Sequence, residues 1–297
     1  MFGKVGKICY ICLMFVDTHT HLYDQWLRPE EEGDAQGGQA AAKEETRRRA
    51  DEAVQRALEA GVGKMIQADV DSRERPLMWE IGNRYPGVVW EMLGLYPGSV
   101  DENWRDGLDL VHSLAEGTSR PGWFDRNRVV AIGEIGLDYH EGTEFALEQK
   151  EALRLQLELA AKMNLPVNIH LRDAWEDFFA MLKDCSHLNL RGNLHCFTAS
   201  YEIYERANRY GDFSLGIGGV VTFKNASLAK TLERIPIGKI LLETDAPYLA
   251  PVPFRGRQNE SSYLPLIAAK VAEIKGLSLA QTEQATTENA LKLFSIE

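Results

Sequence analysis

Hydrophobic runs alternate with amphipathic segments along most of this chain. Eight apolar runs have the length and composition of buried strands, at residues 13–16, 62–66, 88–95, 129–135, 166–171, 192–197, 213–217 and 239–242. The segments that follow them have a helical period of about 3.6 residues, at 46–60, 75–84, 103–115, 145–163, 174–183, 202–210, 227–234 and 262–275. Because strands that alternate with helices are usually parallel, the pattern predicts an α/β fold of the (β/α)₈ TIM-barrel type.

The pattern also predicts elements outside the eight repeats. A further C-terminal helix over 278–294 begins at the N-cap candidate Ser278, and we expect it to pack across the barrel exterior. The acidic segment 30–45 is interpreted as a loop or a helix extension after strand one. No linker rich in Pro, Gly or Ser divides the chain, so we predict an N-terminal extension over 1–13 and one domain over 14–297. A doubly wound open sheet remains the alternative fold, because periodicity alone does not show closure.

Composition excludes several classes of function. The 297 residues include 33 Lys and Arg against 44 Asp and Glu, and the net charge of −11 argues against a broad basic surface for nucleic acid. No apolar stretch reaches the roughly 18 to 20 residues that a membrane span needs, so no membrane association is predicted. No obligate protein partner is indicated. Four cysteines are too few for a disulfide framework, which favours a reducing, cytoplasmic compartment.

The first residues contain two patterns that we interpret as structural. Cys9 and Cys12 form a C-x-x-C pair inside an apolar run, without the second pair or the two histidines that a zinc site needs. Lys4 and Lys7 precede that run as in a signal peptide, but no small-residue cleavage motif closes it. We therefore expect a short extension before the first strand, with Met14 as a candidate natural start.

Polar residues at the strand ends form the candidate site, because TIM-barrel sites lie at the carboxyl ends of the strands. A single histidine there is more often structural than a ligand, but five strand ends carry a His, Asp or Glu. By contrast, the other three histidines lie in predicted helices or loops: His112, His140 and His187. Residues at spacing two share one side of a strand, as His19 and His21 do. The candidate metal ligands are His19, His21, Glu134, His170, His195 and Asp245. This set suits Zn, Mn or Mg and predicts two divalent cations.

Five segments resemble the motifs of the TatD family of metal-dependent hydrolases, within the amidohydrolase superfamily. They are Phe15-Val-Asp-Thr-His-Thr-His21, Gly133-Glu-Ile-Gly-Leu-Asp138, Pro166-Val-Asn-Ile-His-Leu-Arg-Asp173, His195-Cys-Phe-Thr198 and Leu242-Glu-Thr-Asp-Ala-Pro-Tyr-Leu-Ala-Pro251. The resemblance runs from about residue 15 to 294 in the family's order. It implies one metal at His19, His21, Glu134 and Asp245, a second at Glu134, His170 and His195, and deoxyribonuclease activity, often exonucleolytic on single-stranded DNA.

Two segments depart from the family pattern. The family commonly has Gly-x-His-Pro after strand three, whereas this chain has Gly94-Leu-Tyr-Pro97, and the phenol of Tyr96 cannot carry a positive charge toward a phosphate. A late Arg-Asn-Glu-Pro pattern appears as Arg257-Gln-Asn-Glu-Ser261, which keeps Asn259 and Glu260 and loses the proline.

The ligand set predicts a mechanism in which a metal-activated water attacks an ester bond. Asp245 is the candidate general base. Glu243 either orients a metal-ligating side chain without contacting the metal itself, or makes an ordinary hydrogen bond in the barrel interior. The catalytic residues are Asp245 and Glu134, and the candidate substrate contacts are Tyr96, Arg172, Lys224 and Arg255.

Three functions remain open from the sequence. The first is a metal-dependent phosphodiesterase acting on DNA ends or on a small phosphodiester, which the resemblance favours. The second is a hydrolase of small esters, lactones or amides, which the acidic net charge favours. The third is a non-catalytic metal-binding scaffold, which the intact ligand set disfavours.

Overall fold

The predicted strands and helices are present and join in one barrel. The structure, a computed structural model, describes residues 14–24, 37–70, 72–140, 142–224 and 227–297. The strands are β1 (Phe15–Thr20), β2 (Val62–Gln67), β3 (Val89–Leu93), β4 (Val129–Asp138), β5 (Val167–Arg172), β6 (Arg191–Leu194), β7 (Asp212–Ile217) and β8 (Ile240–Leu242). The predicted extension over 1–13, with Cys9 and Cys12, lies outside the described residues.

Helices follow each strand, as the alternating pattern predicts. They are α1 (Gly37–Glu59), α2 (Arg75–Asn83), α3 (Trp104–Glu116), α4 (Ala146–Met163), α5 (Trp175–Asp184), α6 (Tyr201–Ala207), α7 (Leu228–Arg234), α8 (Leu264–Lys275) and α9 (Leu279–Phe294). Helix α1 begins nine residues before the predicted start at residue 46, so part of the acidic segment is a helix extension. No helix among the described residues is long and apolar enough to cross a membrane.

The sheet order establishes a barrel and rules out the doubly wound alternative. All neighbouring pairs are parallel and follow the chain order from β1 to β8. A doubly wound sheet would instead reverse its strand order at a switch point. All strand ends of one kind therefore lie on one face of the barrel.

The seam between β1 and β8 is closed by a single bridge and by side chains. Thr20 and Ala246 form an isolated parallel bridge. The hydroxyl of Thr18 donates to the carbonyl of Leu242 at 3.1 Å. The buried carboxylate of Asp17 accepts from the backbone N–H of Thr244 at 2.9 Å and from its hydroxyl at 2.6 Å. These bonds supply the pairing that a three-residue β8 cannot.

Helix α9 packs on the barrel, where it contacts β1 and β8. Its N-terminus is fixed by a capping box, in which the Ser278 hydroxyl accepts from the backbone N–H of Gln281, and the Gln281 side chain accepts from that of Ser278. Ala290 and Phe294 of α9 join a buried cluster with Val16 of β1. The N-cap predicted at Ser278 is therefore confirmed.

Candidate metal centre

Six polar side chains come together at the carboxyl end of the barrel. Nε2 of His19 lies 3.1 Å from Nε2 of His21 and 3.4 Å from Oε2 of Glu134. Nε2 of His21 lies 3.4 Å from Oδ1 of Asp245, and Nε2 of His195 lies 3.7 Å from the same oxygen. His170 completes the group through Nδ1, 2.8 Å from Oε1 of Glu134. The six residues that the strand ends select are thus linked by contacts of 3.7 Å or less, with His170 joined through Glu134.

The ring of His19 is oriented by an amide from the neighbouring part of the barrel. Oδ1 of Asn168, on β5, lies 3.0 Å from Nδ1 of His19, and both residues are fully buried. When this oxygen accepts the Nδ1–H, Nε2 of His19 keeps a lone pair that faces His21, Glu134 and Asp245.

The ring of His195 is oriented by a buried carboxylate. Oε1 of Glu243 lies 2.9 Å from Nδ1 of His195 and accepts from the backbone N–H of Cys196 at 2.6 Å. Oε2 of the same carboxylate accepts from the Asn193 amide at 3.0 Å. Glu243 therefore touches a candidate ligand directly, which agrees with the orienting role considered for it from the sequence.

His170 is held between two carboxylates. Oδ2 of Asp138 lies 2.8 Å from Nε2 of His170, on the side opposite Glu134. Burial alone would lower the pKa of His170, but its hydrogen bonds to Asp138 and Glu134 raise it to about 9. An oxygen that accepts from Nε2–H leaves Nδ1 facing the centre.

The donor set fits a divalent cation. His19, His170 and His195 each have one ring nitrogen within 3.0 Å of an outer oxygen and the other turned inward, which is the arrangement typical of histidine ligands in metal sites. Three groups of described residues have ligand atoms all within 4.8 Å of one another. They are His19, His21 and Asp245; His19, Glu134 and His195; and His195, Cys196 and Asp245.

The two central carboxylates carry the negative charge that a cation needs. Burial alone would raise the pKa of Glu134, but His19 and its other histidine neighbours bring it well below the usual range. The pKa of Asp245 is likewise lowered, since His195, His19 and His21 outweigh its burial. Burial and the neighbouring His195 lower the pKa of His19. Both carboxylates are therefore anionic and His19 is neutral at neutral pH. The pKa of His170 is raised to about 9 and that of His195 to about 10, so a cation that binds these two rings displaces a proton from each.

The backbone aims Asp245 into the centre. Its φ of +57° lies in the left-handed region, which a non-glycine residue rarely adopts. Its N–H donates to the carbonyl of His19 at 2.9 Å, and its carbonyl accepts from Tyr248 N–H at 2.8 Å. Its side chain is 15% exposed against 4% for Glu134, so Asp245 is the carboxylate that faces the open space.

A cavity of about 800 Å³ opens above these residues. Tyr96 and Arg172, both predicted substrate contacts, are among the residues that line it. The ring of Tyr96 lies edge-on to that of His170, with centroids 5.1 Å apart. The exposed side chains of Tyr248 and Leu249 line the same cavity. The opening thus presents both a cationic and an apolar surface.

The structure does not place the other two predicted substrate contacts in this cavity. Neither Lys224 nor Arg255 is among its lining residues. The guanidinium of Arg255 lies 4.5 Å from the centroid of the Phe223 ring, a cation–π contact. Their role in substrate binding stays a prediction.

Three residues of the site were not identified from the sequence. Asn168 lies two positions before His170 on β5, and that spacing alone places both on one side of a strand. Asp138 lies at the end of the quoted Gly133-to-Asp138 motif, so its position was visible but its role was not. Tyr248 lies in the Leu242-to-Pro251 motif, but an aromatic residue in a proline-containing loop is as easily structural, so its role was not visible.

The chain matches the family model described as TatD related DNase over residues 16–295. It is 45% identical over 170 residues to "Uncharacterized metal-dependent hydrolase YabD" of Bacillus subtilis, a match that covers 57% of this chain and 66% of that protein. It is 35% identical over 254 residues to "3'-5' ssDNA/RNA exonuclease TatD" of Klebsiella pneumoniae, covering 83% and 92% of the two chains. The chain thus spans just under two thirds of the YabD relative.

Solved structures share the fold. The structure of YJJV, a TatD homolog from Escherichia coli, superposes with a TM-score of 0.78 at 26% identity, over 97% of this chain and 100% of that one. A TatD family hydrolase from Entamoeba histolytica superposes with a TM-score of 0.77 at 24% identity, over 96% and 99% of the chains. The predicted barrel is confirmed by both.

Proposed function

This chain belongs to the TatD-related DNase family, and from that premise we propose that it is a divalent-metal-dependent phosphodiesterase that degrades single-stranded DNA from an end. The observation that carries the proposal is the inward orientation of three imidazoles by outer oxygens. Such an arrangement binds a cation through nitrogen lone pairs, while Glu134 and Asp245 supply the negative charge.

Two cations are proposed, with Glu134 between them. His19, His21 and Asp245 would hold one cation. His170 and His195, whose ring nitrogens lie 2.8 and 3.9 Å from Oε1 of Glu134, would hold the other, and Nε2 of His195 also lies 3.7 Å from Oδ1 of Asp245. When bound, such a cation would supply Lewis-acid chemistry: it would ease deprotonation of the attacking water and stabilise charge on a phosphodiester oxygen. Magnesium, manganese and zinc are the candidates.

Asp245 is proposed to accept the proton of the attacking water. It is the more exposed of the two central carboxylates, and its lowered pKa keeps it ionised at neutral pH. Glu243 and Asn168 act through other residues, since each holds a histidine ring in one orientation. Arg172, which lines the cavity, supplies a guanidinium for a phosphate oxygen.

The cavity rim favours a single strand as substrate. Tyr248 is 38% exposed, Leu249 is 42% exposed, and both line the opening. Unpaired bases stack on aromatic side chains, whereas bases inside a duplex are not available for this contact. The relative from Klebsiella pneumoniae carries the name of a single-strand exonuclease, which agrees with this choice.

A hydrolase of small esters, lactones or amides is the second candidate. The net charge of −11 favours it, because long-range attraction to a polyanion is absent. The same metal centre would serve both reactions, so substrate comparison decides between them.

The experiment treats the purified protein with a chelator and reloads it with Mg²⁺, Mn²⁺ or Zn²⁺. End-labelled single-stranded DNA, the matched duplex, a small phosphodiester, lactones and amides are then compared. We expect shortening of the single strand, restored by metal and absent in the His19→Ala/His21→Ala variant. Hydrolysis of lactones or amides with no cleavage of DNA would establish the second candidate instead.

A further inference from the structure

Cys196 lies beside the metal centre and has no part in the function proposed above. It follows His195 directly after β6, and its φ of +46° is in the left-handed region. Its N–H donates to Oε1 of Glu243, the same oxygen that lies 2.9 Å from Nδ1 of His195. One carboxylate thus fixes both the imidazole and the backbone that carries the thiol, and Cys196 lines the cavity.

The thiol is grouped with two of the proposed metal ligands. The candidate ligand atoms of His195, Cys196 and Asp245 all lie within 4.8 Å of one another. In a tetrahedral zinc site, bonds of about 2.0 to 2.3 Å place sulfur and nitrogen ligands about 3.5 Å apart. The separations of the three atoms thus exceed that spacing by at most about 1.3 Å.

We propose that Cys196 is a thiolate ligand of one cation of the centre, and that this makes the centre select zinc over magnesium. The proposal rests on the metal centre of the proposed function. Thiolate sulfur binds zinc and other soft cations well, whereas magnesium prefers oxygen ligands. On binding, the Sγ–H bond breaks, the proton leaves to solvent and the sulfur lone pair forms the bond to the cation.

The surroundings of Cys196 do not suit the alternative role of a free nucleophile. Burial, Asp245 and Glu243 raise the pKa of the thiol well above its ordinary value. Without a cation the group stays a neutral thiol, and neutral thiols are poor nucleophiles.

Cobalt(II) provides a spectroscopic test, because a thiolate ligand gives a near-ultraviolet charge-transfer band that nitrogen and oxygen ligands do not give. The test uses the full chain with Cys9→Ser and Cys12→Ser, so that this pair cannot supply the band. In that background, Cys196→Ser is compared with Cys185→Ser. Cys185 is the other cysteine among the described residues and is buried at the end of α5, away from the centre.

We expect the charge-transfer band in the parent and in the Cys185→Ser variant, and its loss in Cys196→Ser with the fold unchanged by circular dichroism. Zinc affinity should fall by about 10-fold or more in Cys196→Ser, while magnesium affinity changes little. Cobalt that binds the parent without this band, or a band that survives in Cys196→Ser, would overturn the proposal. No bound cobalt would overturn the metal centre as well, whereas the band without DNA cleavage would overturn only the proposed nuclease function.

Discussion

Oδ1 of Asn168 lies 3.0 Å from Nδ1 of His19, and this contact decides which nitrogen of His19 faces the metal centre. We predict that Asn168→Leu lowers metal affinity by about 10- to 100-fold, because the imidazole loses the acceptor that fixes its orientation. Titration with a metal-competing dye measures the effect.

Asn168→Asp is the matched control for this change. It keeps an acceptor oxygen, and the Asn168 Nδ2 that it replaces has no hydrogen-bond partner among the described residues. Affinity should therefore be retained in Asn168→Asp. Equal losses in both variants would show that the contact with His19 is structural only.

Asp245→Asn tests the general base. We expect turnover of single-stranded DNA to fall by about 10²- to 10⁴-fold with little change in KM, because the amide cannot accept the water proton. Metal content measured on the same samples separates loss of the base from loss of a ligand. Near-normal turnover at neutral pH would remove Asp245 from the mechanism.

Tyr248→Ala tests the stacking surface at the cavity rim. Stacking is worth about 1 to 3 kcal/mol per base, so we expect KM for a single strand to rise about 5- to 150-fold with kcat nearly unchanged. Tyr248→Phe keeps the ring and removes only the hydrogen bond to Asp24, 2.8 Å long. The prediction fails if Tyr248→Phe and Tyr248→Ala lose the same affinity.

Tyr96→His tests the position where this chain departs from the family pattern. The ring lies edge-on to His170, and burial raises the pKa of the phenol, so Tyr96 stays neutral at working pH. We predict that histidine raises kcat/KM on single-stranded DNA below about pH 6.5, where an unperturbed imidazole becomes charged and binds phosphate more strongly.

The alternative is that Tyr96 itself stacks on a base, in which case histidine lowers kcat/KM at every pH. One labelled oligonucleotide assayed from about pH 5.5 to 8.5 distinguishes the two accounts. Unchanged kinetics would place Tyr96 outside the substrate site.

Asp17 gives a pH-dependent stability. Burial, only partly offset by its hydrogen bonds to Thr244, raises its pKa from 3.8 to about 6. The folded state then holds the proton of Asp17 more tightly than the unfolded chain does. The free energy by which this protonation stabilises the fold is therefore complete below about pH 4 and is lost as the pH rises through about 6. The decline amounts to about 3 kcal/mol.

We expect this decline to be absent in Asp17→Asn, which cannot ionise. Urea unfolding of chelator-treated protein between about pH 4 and 7 measures it. Asp109→Asn, at an exposed position of α3, is the control. A pH slope that persists in Asp17→Asn would assign the effect to another group.

The barrel and its metal-ligand candidates could be predicted from the sequence because the same pattern of strand, strand end and helix repeats along the chain. Five of the eight apolar runs end at a candidate ligand, and that regularity separates His19 or His170 from His112 and His187, which lie on α3 and in the turn after α5. The exact strand ends were less accessible. Glu134 lies inside β4, which continues to Asp138, while His195 and Asp245 follow their strands.

The orienting residues and the substrate surface were harder to predict. Asn168 and Asp138 act through one contact each with a histidine, and neither contact is implied by strand periodicity. Arg255 was chosen because it is charged and follows strand eight, but the Phe223 ring holds its guanidinium. Side-chain direction in an irregular loop depends on such packing, which a sequence pattern does not contain.

The seam between β1 and β8 has a consequence for the order of folding. The Thr18 hydroxyl and its acceptor in Leu242 are 224 positions apart, whereas every other strand pairs with its neighbour in the chain. Contacts between such distant residues form late. Closing a long loop costs conformational entropy, and the contacts that offset this cost form only after the loop is closed. During synthesis β1 is made before the other strands, and its partner β8 becomes available only after the seven strands before it have been made. His19 and Asp245 meet only when that last junction forms, so an incomplete nascent chain lacks the assembled candidate metal centre.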